Sequence, residues 1–76
     1  MEVNESKWFL QLRIKKGLSQ TDLGSIIGVS QPTIAEIEKG GRRLRLKEFL
    51  TLANELNLTY TDLPLSLQSC FQSKEL

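Results

Sequence analysis

The feature that most constrains the fold is the stretch 18–40, "LSQTDLGSIIGVSQPTIAEIEKG", in which two short helix-like runs meet at Gly28. Residues 19–22 fit a capping box, which predicts a helix start. Gly28 ends that helix after about two turns, because glycine adopts left-handed backbone angles at little cost. The sequence Ser-Gln-Pro-Thr then predicts a second start at Ser30 or Gln31, since proline is tolerated in a first turn. Two short helices joined by a three-residue turn are expected to cross steeply.

The rest of the chain also shows helical spacing of its apolar residues. A helix is predicted over 6–16, where Gly17 ends it, and another over 46–56. Thr59 can cap a short fifth helix that ends near Leu63. The predicted fold is therefore all-α, with five helices around one core and no strand between residues 6 and 63.

The predicted core takes apolar residues from every helix except the short fifth one and from the turns beside them. Its members are Phe9, Leu12, Leu18, Leu23, Ile27, Val29, Ile34, Ile37, Leu46, Phe49, Leu50, Ala53, Leu56 and Leu58. Trp8 is expected at the edge of this core.

The C-terminal tail, residues 64–76, permits two interpretations. Leu63, Leu67, Cys70 and Phe71 have helical spacing, whereas residues 65–68 alternate as a strand would. We therefore divide the chain into a domain over 1–63 and a tail over 64–76, and we leave the conformation of the tail open.

The net charge of +1 conceals an uneven distribution, because nine of the ten basic residues lie between residues 7 and 47 together with three acidic ones. This basic segment suits an anionic partner, although a solvated surface explains the charges equally well. We find no apolar run long enough for a membrane span and no signal peptide at the N-terminus. Cys70 is the single cysteine and cannot form an internal disulfide, so a cytoplasmic location is expected.

The second helix of the pair has two different faces. Ile34 and Ile37 lie at i,i+3 and are expected to anchor it to the core, which leaves residues 30–33 and Glu36 facing outward. A helix presented in this way can enter the major groove of DNA with its first turn at the base edges.

The stretch 18–40 resembles the helix-turn-helix of the lambda-repressor and Cro-like (XRE-type) family, here over residues 19–39. The resemblance extends from about Arg13 to Leu63 and includes "GGRRLRLKEFLTLANEL", which is similar to the family's loop and fourth helix. Two positions depart from the family pattern. Gly24 stands where alanine is usual, and Arg45 where a capping serine or threonine is commoner.

The resemblance implies roles for individual residues. Contacts to DNA bases are expected from Gln31, Pro32, Thr33 and Glu36. Contacts to DNA phosphates are expected from Gln20, Ser30, Lys39, Arg42, Arg43 and Arg45. Arg13 and Glu38 match a pair of positions that form an ion pair between the first and third helices. Ordinary solvated surface is the competing interpretation for the polar residues, and it weighs most at Glu36, because phosphates repel a carboxylate.

The function implied is sequence-specific binding of double-stranded DNA by a transcriptional regulator, as a repressor, through a homodimer on a pseudo-palindromic operator. Candidate dimer residues are Tyr60, Leu65, Leu67 and Phe71, which could equally pack on their own monomer. The alternative is an antitoxin, or another protein-binding module, that neutralises a toxin or other protein partner. Catalysis is not expected, because the chain has no histidine and its carboxylates are scattered, and no cofactor or metal site is predicted.

Overall fold

The computed structural model describes residues 5–65 and residue 68, and this part of the chain is helical without any strand. Its elements are α1 (Glu5–Lys15), α2 (Gln20–Ile27), α3 (Gln31–Lys39), α4 (Leu46–Glu55) and a 3-10 turn (Tyr60–Asp62). The all-α prediction is confirmed. The predicted fifth α-helix between Thr59 and Leu63 is wrong, because the chain forms only the 3-10 turn there. Leu63 after it is extended (ψ 155°), as the residue before a proline prefers.

Local sequence sets the ends of α2 and α3 as predicted. The Ser19 hydroxyl accepts the Asp22 N–H at 3.0 Å, and the Asp22 carboxylate accepts the Ser19 N–H at 3.1 Å. The bond from the Ser19 N–H to the carboxylate, followed by a hydrogen bond from the Ser19 side chain to it, holds the pKa of Asp22 below its usual value. Gly28 ends α2 with φ 80°, the left-handed conformation that the sequence required, and Ser30 caps α3.

One apolar core lies between the helices. Its buried members are Phe9, Leu12, Leu23, Ile27, Ile34, Ile37 and Leu52. Among the other predicted core residues, Leu18, Val29, Leu56 and Leu58 are half-buried against this cluster, and Phe49 and Ala53 are also half-buried. Helices α1, α2 and α3 therefore use the faces that their spacing predicted.

The face of α4 was predicted incorrectly. Leu46 and Leu50 are 73% and 57% exposed, whereas Leu52, absent from the prediction, is fully buried. The inward stripe is instead Glu48, Leu52 and Leu56, at i, i+4 and i+8. Glu48 lies inside because its carboxylate accepts the Arg45 N–H at the start of the helix and pairs with an arginine from the preceding loop. This polar anchor rotates the two leucines toward solvent.

The chain after α4 is fastened to α1 through Asp62. The carboxylate of this buried residue lies 2.8 Å from Lys15 Nζ and 3.6 Å from Lys16 Nζ, and its main-chain oxygen accepts the Trp8 indole N–H at 2.8 Å. The hydrogen bond from Lys15, followed by that from the Thr59 N–H, holds the pKa of Asp62 far below its usual range. Trp8 also contacts the Phe49 ring, at 6.1 Å between centroids, so it borders the core as expected.

Among the described residues, no helix is long and apolar enough to cross a membrane. In the tail, the described residues Leu65 and Gln68 are helical, and the Gln68 N–H donates to the Pro64 oxygen at 3.1 Å. The expectations for Leu67, Cys70 and Phe71 lie outside the described residues.

Candidate nucleic-acid interface

Helix α3 presents a polar flank to solvent. Ile34 and Ile37 on its inner side are 0% and 2% exposed and hold it against the core. Gln31 and Pro32 in the first turn are exposed, as is Glu36 one turn later, whereas Thr33 is half-buried. The structure therefore places the predicted base-contact residues on one accessible helix, as a groove-reading helix requires.

The approach of α3 to α2 depends on Gly24. A Cβ atom at this position would collide with the main-chain oxygen of Val29 and would contact Ile34. The Gly24 oxygen also accepts the N–H groups of Gly28 and Val29, at 2.8 and 2.9 Å. Gly24 therefore permits a tight turn between the two helices, at a position where the resemblance would favour alanine.

A chain of polar side chains runs from α1 to the first residue of α3. Arg13 Nε donates to Glu38 Oε2 at 2.6 Å, which confirms that the two residues form an ion pair. Glu38 Oε1 accepts from Gln20 Nε2 at 2.8 Å, and Gln20 Oε1 accepts from Gln31 Nε2 at 2.5 Å. Gln20, a predicted phosphate contact, and Gln31, a predicted base contact, are thus hydrogen-bonded to each other. The sequence analysis did not predict this bond.

The side chains of Ser30 and Glu36 have local partners. The Ser30 hydroxyl lies 2.9 Å from that of Thr33 and accepts the Thr33 N–H. The Glu36 carboxylate lies so close to Gly41 that a Cβ there would collide with it, and the Gly41 N–H donates to the Glu36 main-chain oxygen. Glu36 therefore lies against the turn that follows α3, whereas Gln31 is bonded to α2 at the other end of the helix.

The arginines of the loop between α3 and α4, residues 40–45, differ in their partners. Arg42 forms a two-pronged pair with Glu48, at 2.9 and 2.8 Å, and also donates to the Arg43 oxygen. The bond from Arg42 lowers the pKa of Glu48, against the opposing effect of burial. Lys39, Arg43 and Arg45 are exposed. Arg42 thus orders the loop that carries the exposed residues Arg43 and Arg45. The sequence feature that could have indicated this is Glu48, a glutamate at the third position of α4.

The predicted dimer residues within the described part are on the surface. Tyr60 is 41% exposed, with its hydroxyl donating to the Gln68 oxygen, and Leu65 is 76% exposed. Leu46 and Leu50 add two exposed apolar residues that their spacing had assigned to the core. Isolated exposed leucines are ordinary, but two on one helix face call for an explanation.

A sequence model of the family described as helix-turn-helix matches residues 10–63. The chain belongs to this helix-turn-helix family. An uncharacterized HTH-type transcriptional regulator from Haemophilus influenzae is 36% identical over 63 residues, which are 83% of this chain. The match covers 64% of that relative, so the chain spans less than two thirds of its length.

A solved structure supports the same helix-turn-helix assignment. The restriction-modification controller protein C.AhdI from Aeromonas hydrophila matches with a TM-score of 0.67 and 30% sequence identity. The match covers 79% of this chain and 91% of that one. These findings confirm the resemblance to the lambda-repressor and Cro-like family on which the residue roles were based.

Proposed function

We propose that this chain is a transcriptional regulator, acting as a repressor, that binds a pseudo-palindromic operator in double-stranded DNA as a homodimer. The observation that carries the proposal is α3, whose apolar side is buried while Gln31 and Pro32 stay exposed at its first turn. The chain's family and the names of two similar proteins support the part of this proposal that makes the chain a DNA-binding transcriptional regulator. The sequence-derived domain over residues 1–63 would carry this activity.

Base recognition is assigned to the outward side of α3. The Gln31 amide can pair with adenine, and the Thr33 methyl can contact a thymine methyl. Pro32 and Glu36 complete the predicted set, with Glu36 suited to accept from cytosine N4. Because the Glu36 carboxylate lies against Gly41, Gln31 is the best-presented reader of a base.

Phosphate contacts are assigned to residues around this helix. Lys39 is an exposed cation at the C-terminus of α3, and Arg43 and Arg45 are exposed cations beyond it. Gln20 and Ser30 lie by the starts of α2 and α3. Arg42 is retained in the set as a weaker candidate, because its guanidinium is engaged by Glu48. Phosphates carry no sequence, so these residues would add affinity to any DNA.

The homodimer is proposed from geometry and surface chemistry. One helix-turn-helix reads only part of a turn of DNA, and a dimer places two recognition helices about 34–36 Å apart on successive major grooves. The exposed apolar residues Leu46, Leu50, Tyr60 and Leu65 are the described residues that we assign to the contact between copies. Leu67 and Phe71 remain candidates from the sequence.

Binding of two variants to a selected site and a scrambled site, over several salt concentrations, tests the proposal. Gln31→Ala is expected to cost about 1–3 kcal/mol on the selected site for each base that it no longer pairs with, and to change binding to scrambled DNA little. Arg43→Ala is expected to weaken both sites alike and to flatten the salt dependence by about one unit of slope for each phosphate that it no longer neutralises.

Two results would contradict these assignments. If Arg43→Ala changes site preference while Gln31→Ala weakens both DNAs equally, the two surfaces are reversed. If the wild-type chain shows no salt-sensitive retardation by DNA at all, the chain is a protein-binding module, such as an antitoxin, and the proposed function is wrong.

A further inference from the structure

We propose that Glu38 acts as a positioning residue that sets the donor and acceptor order which Gln31 presents to a base, through Gln20. This inference rests on the proposed function, because it needs Gln31 to read DNA. It begins with the polar chain Arg13–Glu38–Gln20–Gln31, in which each member is hydrogen-bonded to the next.

The first step is the charge of the ion pair. Glu38 has a side chain only 7% exposed, and Arg13, 17% exposed, donates to it through Nε and also donates to the Leu18 oxygen. A carboxylate in such a pair only accepts hydrogen bonds. The amide group of Gln20 that faces Glu38 Oε1 at 2.8 Å must therefore be its NH2 group.

The second step follows from the shape of the amide. With its nitrogen at Glu38, Gln20 turns its oxygen toward Gln31, so Gln31 must donate through Nε2, at 2.5 Å. Gln31 is left with one N–H and its oxygen for a ligand. One donor beside one acceptor is complementary to adenine, which presents N7 as an acceptor and its N6 amino group as a donor in the major groove. Gln20 keeps a second N–H, so a phosphate contact remains open to it.

The third step is the effect of a neutral side chain of the same shape. In Glu38→Gln, Arg13 still requires an acceptor, so the new amide would turn its oxygen to Arg13 and its NH2 group to Gln20. The Gln20 amide would then turn its oxygen to residue 38 and its NH2 group to Gln31. The Gln31 amide would turn over in response, so that its oxygen faces Gln20. The donor and acceptor that Gln31 offers would exchange places although every side chain keeps nearly the same volume.

Selection of sites from a random DNA pool measures this reversal. The position read by Gln31 is the one at which Gln31→Ala loses its base preference. Glu38→Gln is expected to lose preference there by about tenfold, to keep preferences elsewhere, and to keep the wild-type salt slope. The double variant that carries both Glu38→Gln and Gln31→Ala should lose no more base preference at that position than Gln31→Ala alone.

Glu48→Gln is the matched control. Glu48 is also a carboxylate with little exposure, 11%, in a pair with an arginine, but it lies on α4 and its hydrogen bonds run to Arg42 and Arg45. A general loss of stability would affect both variants, whereas a change at one base position should occur in Glu38→Gln alone. If Glu38→Gln selects the same site as the wild type, the proposal is wrong. If Glu48→Gln loses the same base preference as Glu38→Gln, the proposal is also wrong.

Three further measurements keep the proposal open to refutation. If Glu38→Gln does not fold, Gln20→Met keeps the ion pair and should lose the same base preference, and a retained preference overturns the proposal. If Gln31→Ala alters no base preference, Gln31 is not a reader and the proposal fails.

The last measurement needs no DNA, so it separates this proposal from the proposed function. If the wild type selects no site, the proposed function fails, whereas the hydrogen-bonded order can still be read in the free protein. The side-chain amide resonances of Gln20 and Gln31 should move in Glu38→Gln and stay in place in Glu48→Gln. Unmoved resonances in Glu38→Gln would refute the order itself.

Discussion

Helices α3 and α4 have nearly the same length, nine and ten residues, and both follow a residue in extended conformation, yet they bury their apolar residues very differently. Both isoleucines of α3 are buried. On α4, Leu52 is fully buried while Leu46 and Leu50 are exposed. Helix α3 packs on α1 and α2, and α4 packs on α2.

The difference shows that apolar spacing alone does not tell which apolar residues a helix turns to its own core. In α3 the apolar stripe is narrow and the monomer covers it. In α4 the apolar residues outnumber the places that the core provides, and Glu48 takes one of those places. The excess is what we assign to a second copy of the chain.

The largest expected effect is a contrast between two leucines on α4. Leu52→Ala should lower the free energy of unfolding by about 2–5 kcal/mol, because it leaves a cavity in a fully buried site. Leu50→Ala should cost less than about 1 kcal/mol, because that side chain is largely in water. Urea unfolding of both variants measures the contrast. Equal losses would mean that the burial of α4 is described incorrectly.

The second prediction concerns the ion pair that ties α3 to α1. Arg13→Ala should cost about 3 kcal/mol, because it leaves the Glu38 carboxylate with little exposure and without its counter-charge. Lys15→Ala should cost much less. The sequence offered Lys15 no partner, whereas the structure pairs it with Asp62, but Lys15 is 63% exposed and such pairs contribute little. Identical melting temperatures for the two variants would refute the ranking.

The third prediction concerns the corresponding tie between the chain after α4 and α1. Because the pKa of Asp62 is lower in the folded state than its ordinary 3.8, its ionised form stabilises the fold above about pH 4, and that contribution is lost as the pH falls further. Asp62→Asn should therefore lower stability at neutral pH and flatten the acid limb of the stability curve. Thermal unfolding between pH 2 and 7 tests this, with Glu55→Gln as a control at an exposed carboxylate. If stability falls with decreasing pH in Asp62→Asn as it does in the wild type, Asp62 does not cause the loss of stability in acid.

The smallest expected effect on unfolding comes from the exposed face of α4. Leu46→Lys with Leu50→Lys should change the stability of the monomer by less than about 1 kcal/mol but should abolish association of two copies. Sedimentation of the variant and the wild type over a range of concentrations measures the second effect. A double variant that associates like the wild type would exclude this face as the interface, and the assignment would fall back on Tyr60 and Leu65.

The sequence predicted well those features that depend on neighbouring residues. The capping box at Ser19, the left-handed Gly28 and the inward isoleucines of α3 all follow from local geometry. It failed where a distant partner decides. The rotation of α4 depends on Glu48 meeting Arg42, and the burial of Asp62 depends on Lys15, 47 positions earlier. In the site, the Arg13–Glu38 pair came from the family resemblance rather than from spacing, and the DNA-contact residues stay a prediction. The bond between Gln20 and Gln31 was not foreseen, because spacing does not show which of two amide ends faces a neighbour.

That bond also affects the entropy of recognition. A free glutamine on a helix surface samples many rotamers, and ordering such a side chain in a complex costs about 0.5–1.5 kcal/mol. Gln31 is already held at one end by Gln20 before any ligand arrives. Most of its rotamer freedom is therefore lost when the protein folds, and a base pair that fits the amide meets a side chain whose ordering cost no longer falls on the binding step.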